Sequence, residues 1–475
     1  MKALAREGRP AAQVLAELDE LGKADVDWRT GRILTGLYHP GREAYQLTAE
    51  AYSRFLTQNA LYINMYPSAG RMEQEVVRSM ADLLRGDDQV VGNMTSGGTE
   101  SIILAVKTAR NHARVHRPQV VEPEVVLPVS AHPAFHKAAH YVGLKTVVTP
   151  VHPDDGFRAD VDAFGAALGP STVLAVGSAP NFSHGTIDPI AEMAAAARER
   201  GILFHVDACV GGLYLSFMRR MGEPVRDFDF SIDGVTSISA DMHKYGYAPK
   251  NASVLLYRNR DLRQHALFVC SGTTEYAVIN PTILSSKSAG PIAASWAIMR
   301  HLGEAGYERM VRETWDATRA LLEGVKHIEG VRVLAEPEMC MFTLGSDEIN
   351  VFELDDEMTA RGWSLLPQFA CGGPENLHIS MSSSNVPLVD QLVSDLREAV
   401  DYLRREGPLV DREAIAREVA KVAGRPLEEL ALHLVPLAGL TGVGLPERMA
   451  PLNTILNLLP ATTRDQLLAA FVNAL

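Results

Sequence analysis

The chain has 475 residues, 47% of them hydrophobic and 22% charged, which is ordinary for a soluble globular protein with a large core. A chain of this length is expected to form two or three domains. Its formal net charge of −13 excludes broad, unspecific binding of nucleic acid, which needs a basic surface, but it leaves room for a local basic pocket that holds one phosphate.

The first segment, residues 1–60, is polar and is predicted to be helical, with turns marked by glycine and proline between 31 and 41. Its start is charged and amphipathic and lacks the apolar core of a signal peptide. No stretch of the chain reaches the roughly 18 consecutive apolar residues of a membrane span. The four cysteines are far apart, which indicates neither a zinc site nor a disulfide framework. We therefore expect a cytoplasmic protein without a membrane span or a bound metal.

Residues 61–325 are predicted to form a large domain in which helices and strands alternate. Apolar residues have helical spacing over 71–84 and 101–113, and a further helix covers 188–200. The predicted strands are the short apolar runs 124–129, 144–149, 172–177, 201–207, 235–240 and 252–257. This alternation indicates an α/β fold with a mainly parallel sheet covered on both faces. Ligands bind at the carboxyl ends of such strands, so the residues that follow each run are candidates for a functional site.

A long helix is predicted from 291 to 325, and it leads into a smaller α+β domain over 326–404. In that domain, 331–345 and 376–382 have the pattern of strands that flank a helix. Residues 405–475 are predicted to form a helical C-terminal extension, in which glycine and proline separate several short amphipathic helices. Core packing is the favoured role of their apolar faces.

Lys244 directly follows His243, just after the predicted strand 235–240, in the sequence SISADMHKYGYAPK. Lysine is suited to form a Schiff base, because burial and nearby cations can lower its pKa. A solvated loop that carries two lysines, Lys244 and Lys250, explains the same residues equally well.

Asp207 ends the apolar strand FHVD. A buried carboxylate opposite a pyridine nitrogen keeps that nitrogen protonated, so that the ring can accept electrons. An aspartate that caps a turn at a strand end is more common, and Asp207 taken alone favours that interpretation.

A glycine-rich turn, SGGT over 96–99, precedes a predicted helix. Gly97 and Gly98 let the backbone approach an anion, the helix start presents free N–H groups to it, and Thr99 adds a hydroxyl. An ordinary helix N-cap has the same composition, so this turn is weak evidence by itself.

His132 follows the strand 124–129, where it either lies flat on a conjugated ring or caps the next helix.

The combination of these four motifs is more informative than any one of them. A phosphate-binding turn, a histidine, the strand-end Asp207 and then His-Lys follow one another at the same edge of one predicted sheet. Four such signals in this order are hard to explain without a pyridoxal 5′-phosphate (PLP) site.

The segments SGGTES, SAHPAF, HGTIDP, HVDACVGG and SISADMHKYGYAPK closely resemble those of the sphingosine-1-phosphate lyases, in the PLP-dependent group II decarboxylase family. The resemblance covers residues 30–400. It implies the PLP-dependent transferase fold of aspartate aminotransferase type I, with a mainly parallel large domain and a small α+β C-terminal domain. It also implies a homodimer whose active sites lie at the subunit interface.

The resemblance also implies roles for individual residues. Lys244 would carry the cofactor as a Schiff base, Asp207 would face the pyridine nitrogen, and His132 would stack on the ring. Residues that would hold the cofactor phosphate are Gly97, Gly98, Thr99 and His243. Tyr38 in the TGLY segment and Lys250 after Ala-Pro would assist bond cleavage and hold the substrate phosphate.

Two segments depart from the family pattern. The family's Asn-Pro-Leu-His reads Asn-Ala-Leu-Tyr over 59–62, so Tyr62 stands where a histidine is thought to contact the substrate phosphate. The family's Gly-Ser-Arg-Pro-Gly-Gly loop, donated across the dimer, reads SSKSAG over 285–290. There Ser286 would reach the cofactor, and Lys287 keeps the charge of arginine but loses its planar, bidentate geometry. Tyr62 and Lys287 are predicted to bind substrate.

The implied activity is that of an aldehyde-lyase, which cleaves a phosphorylated long-chain amino alcohol such as sphingosine 1-phosphate to a fatty aldehyde and phosphoethanolamine. Its partners would be a small-molecule or lipid-phosphate substrate and a second copy of the chain, not nucleic acid. An amino-acid decarboxylase would use the same Lys244 and Asp207 but release carbon dioxide. A non-catalytic PLP-fold scaffold is a further alternative, although such proteins usually lose one of these two residues.

Overall fold

The structure is a computed structural model that describes residues 6–274, 276–422, 424–439 and 446–474. Its α-helices are, in chain order, α1 (Ala11–Leu21), α2 (Arg42–Arg54), α3 (Pro67–Leu83), α4 (Gly98–His116), α5 (Ala134–Val142), α6 (Val161–Ala167), α7 (Ile190–Glu199), α8 (Gly211–Arg220), α9 (Arg260–Arg263), α10 (Gly290–Lys326), α11 (Val351–Ala360), α12 (Val389–Glu406), α13 (Arg412–Val422), α14 (Leu427–Leu434), α15 (Ala450–Leu458) and α16 (Ala461–Ala474). Within the described residues, no helix combines the length and the apolarity that crossing a membrane requires.

The strands belong to a large sheet, a smaller sheet and two short hairpins. They are, in chain order, β1 (Val91–Thr95), β2 (Glu124–Pro128), β3 (Lys145–Thr149), β4 (Val151–His152), β5 (Arg158–Ala159), β6 (Thr172–Ser178), β7 (Leu203–Asp207), β8 (Val235–Ala240), β9 (Ser253–Tyr257), β10 (Phe268–Cys270), β11 (Val278–Asn280), β12 (Arg332–Val333), β13 (Met341–Gly345), β14 (Leu366–Gln368) and β15 (Asn376–Ser380). The large sheet has the order β1-β9-β8-β7-β6-β2-β3, and the smaller sheet has the order β12-β13-β15-β14.

The large sheet has the mainly parallel arrangement that the sequence predicts. The neighbours from β3 to β8 are parallel, whereas β9 runs antiparallel to both β8 and β1. The central strand β6 is buried along its whole length, as expected for a sheet with helices on both faces. The carboxyl ends of β1, β2, β6, β7 and β8 therefore lie at one edge of the sheet, where the chain can bind a ligand.

The structure differs from the prediction in three places. The sequence does not predict β1, because Gly92 and Asn93 interrupt its apolar pattern and its first three residues are only half-buried. The single strand predicted over 331–345 is wrong, since β12 and β13 are separated by a segment around Pro337, which has no N–H to offer a sheet. The helical segment predicted over 1–60 is interrupted, because the chain between the 3-10 turn Trp28–Thr30 and α2 is not helical.

The non-helical part of this segment attaches the start of the chain to the small domain by hydrogen bonds. Leu34 donates its N–H to the Ser364 carbonyl at 2.9 Å and accepts from the Ser380 N–H at 2.7 Å. Gly31 has a φ of 73°, and a Cβ at this position would lie 2.4 Å from the Ser384 carbonyl oxygen, so only glycine fits. The hydrogen bonds fix the chain just before Tyr38 and so determine where Tyr38 lies.

The C-terminal extension forms a small helical cluster with its own apolar core, which includes Ile415, Leu430 and Ile455. Helix α15 packs on α11 of the small domain. The Asp356 carboxylate accepts hydrogen bonds from the first N–H groups of α15, at 2.7 Å from Met449 and 3.0 Å from Ala450. A carboxylate at a helix N-terminus is a favourable partner for the helix dipole, so this contact helps to attach the extension.

Candidate active site

A cavity of about 460 Å³ opens at the carboxyl edge of the large sheet, within the range of about 300–1,000 Å³ that is usual for small-ligand sites. It is built by the ends of the strands and by the first turn of α4. The residues predicted to bind the cofactor that line it are Gly97, Gly98, Thr99, His132, Asp207, His243 and Lys244. The fold thus brings together side chains that lie far apart in the sequence.

Lys244 lies in the turn after β8, and its Nζ is 3.0 Å from Oδ2 of Asp241. The Asp241 side chain is only 2% exposed, and that of Lys244 is 18% exposed. Burial alone would lower the pKa of Lys244, but the nearby negative charges, Asp241 above all, outweigh it and raise the pKa above its ordinary value. In the chain alone, Lys244 is therefore a protonated amine, and it must lose a proton before it can attack a carbonyl carbon.

Asp207 is buried at the end of β7. Its Oδ1 accepts a hydrogen bond from the N–H of Cys209 at 3.0 Å and lies 3.5 Å from the Ser239 hydroxyl. Beneath it, His205 is held by Ser237 at 2.8 Å and by Ser239 at 3.1 Å, which fixes β7 against β8. These contacts aim the carboxylate into the cavity as a fixed negative charge.

The turn before α4 provides a site for an anion. Gly97, the N-cap residue, has a φ of 141°, and no side chain caps the helix, so the helix dipole and its first amides face the cavity. His243 lines the same wall, and its Nδ1 lies 2.7 Å from the Ala252 carbonyl, which orients the ring. Burial lowers the pKa of His243, and the negative charge of Asp241 partly offsets this lowering.

Gly98 leaves no room for a side chain. A Cβ there would lie 2.9 Å from both carboxylate oxygens of Asp241 and 3.0 Å from the Cys209 Sγ. The turn, the carboxylate that pairs with Lys244 and the Cys209 thiol are thus packed directly against one another.

His132 stands at the open mouth of the cavity, after β2. Its Nδ1 accepts the N–H of Ala134 at 3.1 Å, so the histidine caps the next helix and faces the cavity at the same time. The two predicted alternatives for this residue are therefore compatible. Burial lowers the pKa of His132, which favours a neutral ring. A neutral, oriented imidazole is a suitable surface for a conjugated ring.

These residues fit PLP. Lys244 offers the amine that would anchor the cofactor, and Asp207 the carboxylate for a ring nitrogen. The uncapped start of α4 offers N–H groups to a phosphate, and His132 offers a flat face. This donor set combines a cationic anchor, a buried anion and an anion-binding helix start in one cavity, as the charges of PLP require.

Tyr38 and Lys250 line a neighbouring cavity of about 530 Å³ that shares His243 with the first. Lys250 Nζ donates to the Gly36 carbonyl at 2.8 Å and lies 5.3 Å from the centre of the Tyr38 ring. Burial raises the pKa of Tyr38, although the charge of Lys244 opposes this. Burial, together with Lys244, lowers the pKa of Lys250.

Three predicted residues do not reach the Lys244 cavity of their own chain. Tyr62 is exposed on a turn. Ser286 and Lys287 line an adjoining cavity of about 380 Å³, which shares Ser96 and Leu284 with the Lys244 cavity, and the Lys287 Nζ lies 3.4 Å from the Met94 carbonyl. That Ser286 binds the cofactor and that Tyr62 and Lys287 bind substrate, with the 285–290 loop donated across a dimer, stays a prediction.

Two carboxylates at the site are not among the residues predicted from the sequence. Asp241 precedes Lys244 by three residues in the same motif. This spacing within one turn indicates that the two side chains can pair, so Asp241 could have been predicted. Glu100 accepts the N–H of Ser96 and the N–H of Ile283, both at 2.6 Å, and so ties the glycine-rich turn to the loop that leads to Lys287. No local pattern indicates the second contact, because its partners are distant in sequence.

Asp241→Asn should let the cofactor load at a lower pH. An opposite charge in close contact shifts a pKa by about 1–3 units, so its loss should move the pH dependence of PLP incorporation down by about one unit or more. PLP is added to cofactor-free protein, and the measurement is the rate at which the visible absorbance of bound PLP appears. The pH is varied from about 6 to about 10, a range that includes values well below the usual pKa of lysine. Asp401→Asn, on an exposed face of α12, should leave the profile unchanged. An unshifted Asp241→Asn profile would show that this carboxylate does not control the Lys244 proton.

Comparison with known proteins identifies the family of this chain. The family model for the pyridoxal-dependent decarboxylase conserved domain matches residues 12–344, and the model for the C-terminal HTH domain of pyridoxal-dependent enzymes matches 413–474. The sphingosine-1-phosphate lyase of Arabidopsis thaliana is 40% identical over 406 residues, covering 84% of this chain and 73% of the relative. Sphingosine-1-phosphate lyase 1 of Rattus norvegicus is 37% identical, covering 85% and 71%.

Solved structures give the same result. The sphingosine-1-phosphate lyase of Burkholderia pseudomallei superposes with a TM-score of 0.81 at 34% identity, over 89% of this chain and 97% of that one. The glutamate decarboxylase of Lactobacillus brevis has a TM-score of 0.74 over 85% and 95% of the two chains, at 19% identity, and shows the shared fold. The predicted PLP-dependent fold and cofactor are confirmed. The chain therefore belongs to the pyridoxal-dependent decarboxylase family and, within it, to the PLP-dependent sphingosine-1-phosphate lyases.

Proposed function

We propose that this chain cleaves the Cα–Cβ bond of a phosphorylated long-chain amino alcohol such as sphingosine 1-phosphate, giving a fatty aldehyde and phosphoethanolamine. The observation that carries the proposal is the Tyr38–Lys250 pair, which lies against His243 beside the Lys244 cavity. An amino-acid decarboxylase needs no proton acceptor for a β-hydroxyl, whereas a retro-aldol cleavage does. The relatives named as sphingosine-1-phosphate lyases support the same substrate class.

The second cavity accounts for a substrate larger than an amino acid. Its walls include the aromatic side chains of Trp28, Tyr45, Tyr52 and Tyr247. An amine that enters the Lys244 cavity can extend its remaining atoms past His243 into this space. The apolar, aromatic walls suit the hydrocarbon portion of such a substrate.

The proton of the β-hydroxyl has two candidate acceptors. The raised pKa of Tyr38 keeps the phenol protonated at neutral pH, so Tyr38 acts first as a hydrogen-bonding partner that orients the hydroxyl. Lys250 Nζ lies 5.3 Å from the centre of the Tyr38 ring, and the lowered pKa of Lys250 favours its neutral amine, so we assign the proton to this Nζ. As the Cα–Cβ bond breaks, the hydroxyl oxygen becomes the carbonyl oxygen of the aldehyde.

The electron pair of that bond stays with the carbon next to the amine. When bound, PLP supplies the acceptor for this pair. Asp207 is held in the cavity by the Cys209 N–H, where its negative charge would stabilise the bound cofactor, and Lys244, a protonated amine when it is free, returns a proton to the carbon. The chain thus supplies orientation, one proton acceptor and one proton donor.

The nature of the products tests the proposal. PLP-loaded protein is incubated separately with sphingosine 1-phosphate, with sphingosine and with L-aspartate and L-glutamate. We expect aldehyde and phosphoethanolamine from the first compound and no carbon dioxide from the amino acids. Release of carbon dioxide without aldehyde would instead assign a decarboxylase, the activity named for a Pyrococcus abyssi relative, a probable L-aspartate decarboxylase, that is 30% identical over 84% of this chain.

We also propose a homodimer in which Ser286, Lys287 and Tyr62 serve the active site of the partner subunit. Their position outside the Lys244 cavity of their own chain supports this. Lys287→Ala should lower kcat/KM for the phosphorylated substrate about 10–100-fold, the effect of removing one hydrogen bond to a charged group. Mixing inactive Lys244→Ala with Lys287→Ala should then restore about a quarter of the wild-type activity, because half of random dimers are mixed and one of their two sites is intact.

Recovery in that mixture depends on the two residues acting across the interface. If the mixture is no more active than its more active component, Lys287 acts within its own chain and the shared-site proposal is wrong. Each protein is also mixed with itself, denatured mildly and reassembled in parallel, as the matched control for losses during exchange.

We propose a cytoplasmic location and no nucleic-acid partner, although residues 413–474 match a domain model named for HTH proteins. The charges of that segment support the absence of a nucleic-acid partner. In the described part of that segment, Arg417 pairs with Glu413 at 3.7 Å and Arg425 pairs with Glu429 at 3.6 Å. Phosphate binding needs basic side chains free to release counterions, which paired arginines are not. Retention on a heparin column at physiological salt would contradict this.

A further inference from the structure

Three histidines lie together at the far end of α4, away from the Lys244 cavity. His112 and His116 are on the last turns of α4, and His265 lies in the 3-10 turn Gln264–Ala266. One ring nitrogen of each histidine lies within 4.8 Å of those of the other two. Between Gly98 and His112 the helix rises about 20 Å, at about 1.5 Å per residue, so the cluster is separate from the active site.

The spacing of these residues suits a metal ion. His112 and His116 are four positions apart on one helix, so both face the same side, as in the helices of zinc enzymes. Three imidazoles are a common ligand set for Zn²⁺, which binds nitrogen at about 2.0–2.1 Å and takes a water as a fourth ligand. Tetrahedral coordination places the ligand nitrogens about 3.3 Å apart, so the ring nitrogens need to approach by at most about 1.5 Å. His116 is exposed, so the fourth position opens to solvent.

Side chains of α4 hold the third histidine in place. The Asn111 amide donates to the His265 carbonyl at 3.0 Å, and the Lys107 Nζ donates to the Ala266 carbonyl at 2.6 Å. Both bonds attach the backbone of the turn to the helix and leave the His265 ring to face His112 and His116. Its ring centre is 5.1 Å from that of His112 and 5.5 Å from that of His116. The backbone of the turn is therefore held beside α4 without a ligand.

A second observation points to a missing partner. Nε2 of His265 is buried and has no hydrogen-bond partner among the described residues, which is costly for a polar atom. A metal ion would provide that partner. The C-terminal end of α4 also carries the negative end of the helix dipole, which favours a cation. The nearby Arg117 is directed away, because its guanidinium donates to the carbonyls of Thr172 and Pro170.

We propose that His112, His116 and His265 form a binding site for a divalent transition-metal ion of the Zn²⁺ class, which fastens the segment 260–266 to α4. The sequence predicts no metal site, because its cysteines are far apart and His265 lies far from the other two histidines along the chain. The site is independent of the proposed reaction, so a failed substrate assay does not bear on it.

The test uses the full-length, PLP-loaded protein after treatment with a chelator. Zn²⁺ is titrated in competition with a chromophoric chelator, and Co²⁺ is added separately to record its visible d–d absorption. We expect one bound ion per chain and a Co²⁺ spectrum typical of tetrahedral coordination. His116→Gln and His265→Gln should each weaken Zn²⁺ binding by at least about 10–100-fold, whereas His301→Gln, an exposed histidine on α10, should bind as the wild type does.

His116→Gln is the decisive variant, because its side chain is exposed and its substitution does not disturb the core. A wild-type protein that binds no more Zn²⁺ than His116→Gln would overturn the proposal. Zinc held at the cysteines or in the Lys244 cavity would be unaffected by the histidine changes, and that result would also overturn it. A Zn²⁺-dependent rise in the unfolding temperature of the wild type, absent from His116→Gln, would support the fastening role.

Discussion

Lys244→Ala should lower turnover by about 10⁴–10⁶-fold, the range seen when a covalent catalytic group is removed. A methyl group can neither anchor the cofactor nor return a proton to the product. The measurement is the single-turnover rate of aldehyde release with saturating PLP. Turnover near the wild-type rate would show that Lys244 is not the anchor.

The same change has a structural cost that must be separated from the catalytic one. Asp241 is 2% exposed, so removing Lys244 leaves a buried carboxylate without its partner, which costs about 3–5 kcal/mol of unfolding free energy. Lys244→Arg is the matched control, because it keeps the positive charge beside Asp241 but cannot form the covalent link. We expect it to unfold close to the wild-type midpoint and to be as inactive as Lys244→Ala. The double variant Lys244→Ala with Asp241→Asn should regain stability without regaining activity.

Asp207→Asn should lower kcat by about 10²–10³-fold, as the loss of one preorganised electrostatic contact does. Asparagine can still accept the Cys209 N–H through its side-chain oxygen, so β7 and the cavity keep their shape. What is lost is the negative charge that keeps a ring nitrogen protonated, and with it the capacity of the ring to accept electrons. Steady-state kinetics and the visible spectrum of the loaded protein measure the two effects separately.

Ser239→Ala is the control for this position. Its hydroxyl lies 3.5 Å from Asp207 and 3.1 Å from His205, so its removal disturbs the same network but leaves the charge in place. We expect less than about a tenfold loss of kcat, the cost of one weak neutral hydrogen bond. An Asp207→Asn protein as active as Ser239→Ala would show that the charge of Asp207 is not used.

The sequence predicts the large sheet well for a physical reason. Buried parallel strands are continuous apolar runs, and the predicted strand 172–177 differs from β6 by a single residue. The polar residues that follow the runs then have to meet at one edge, which is why Lys244, Asp207 and His132 could be placed together. The edge strand β1 lacks such a run, because part of it faces solvent, and it could not be found in this way.

Contacts between distant segments set the limit of that prediction. The position of Tyr38 depends on hydrogen bonds from residues 31–34 to the small domain, and no periodicity encodes them. The position of Lys287 depends on a loop whose Ile283 N–H is bound by Glu100, a residue distant in sequence. The same reason applies to His265, which only the folded chain brings next to α4.

The close packing at Gly98 has a consequence for how this enzyme can change over time. Because a methyl group at position 98 would collide with Asp241 and with Cys209, the effect of a substitution at any of these three positions depends on the residues at the other two. Such dependence is non-additive, so a side chain at position 98 is disfavoured as a single change but can be accommodated when its neighbours change as well. In a library of active variants, a residue larger than glycine at position 98 should therefore occur only together with changes at positions 209 and 241.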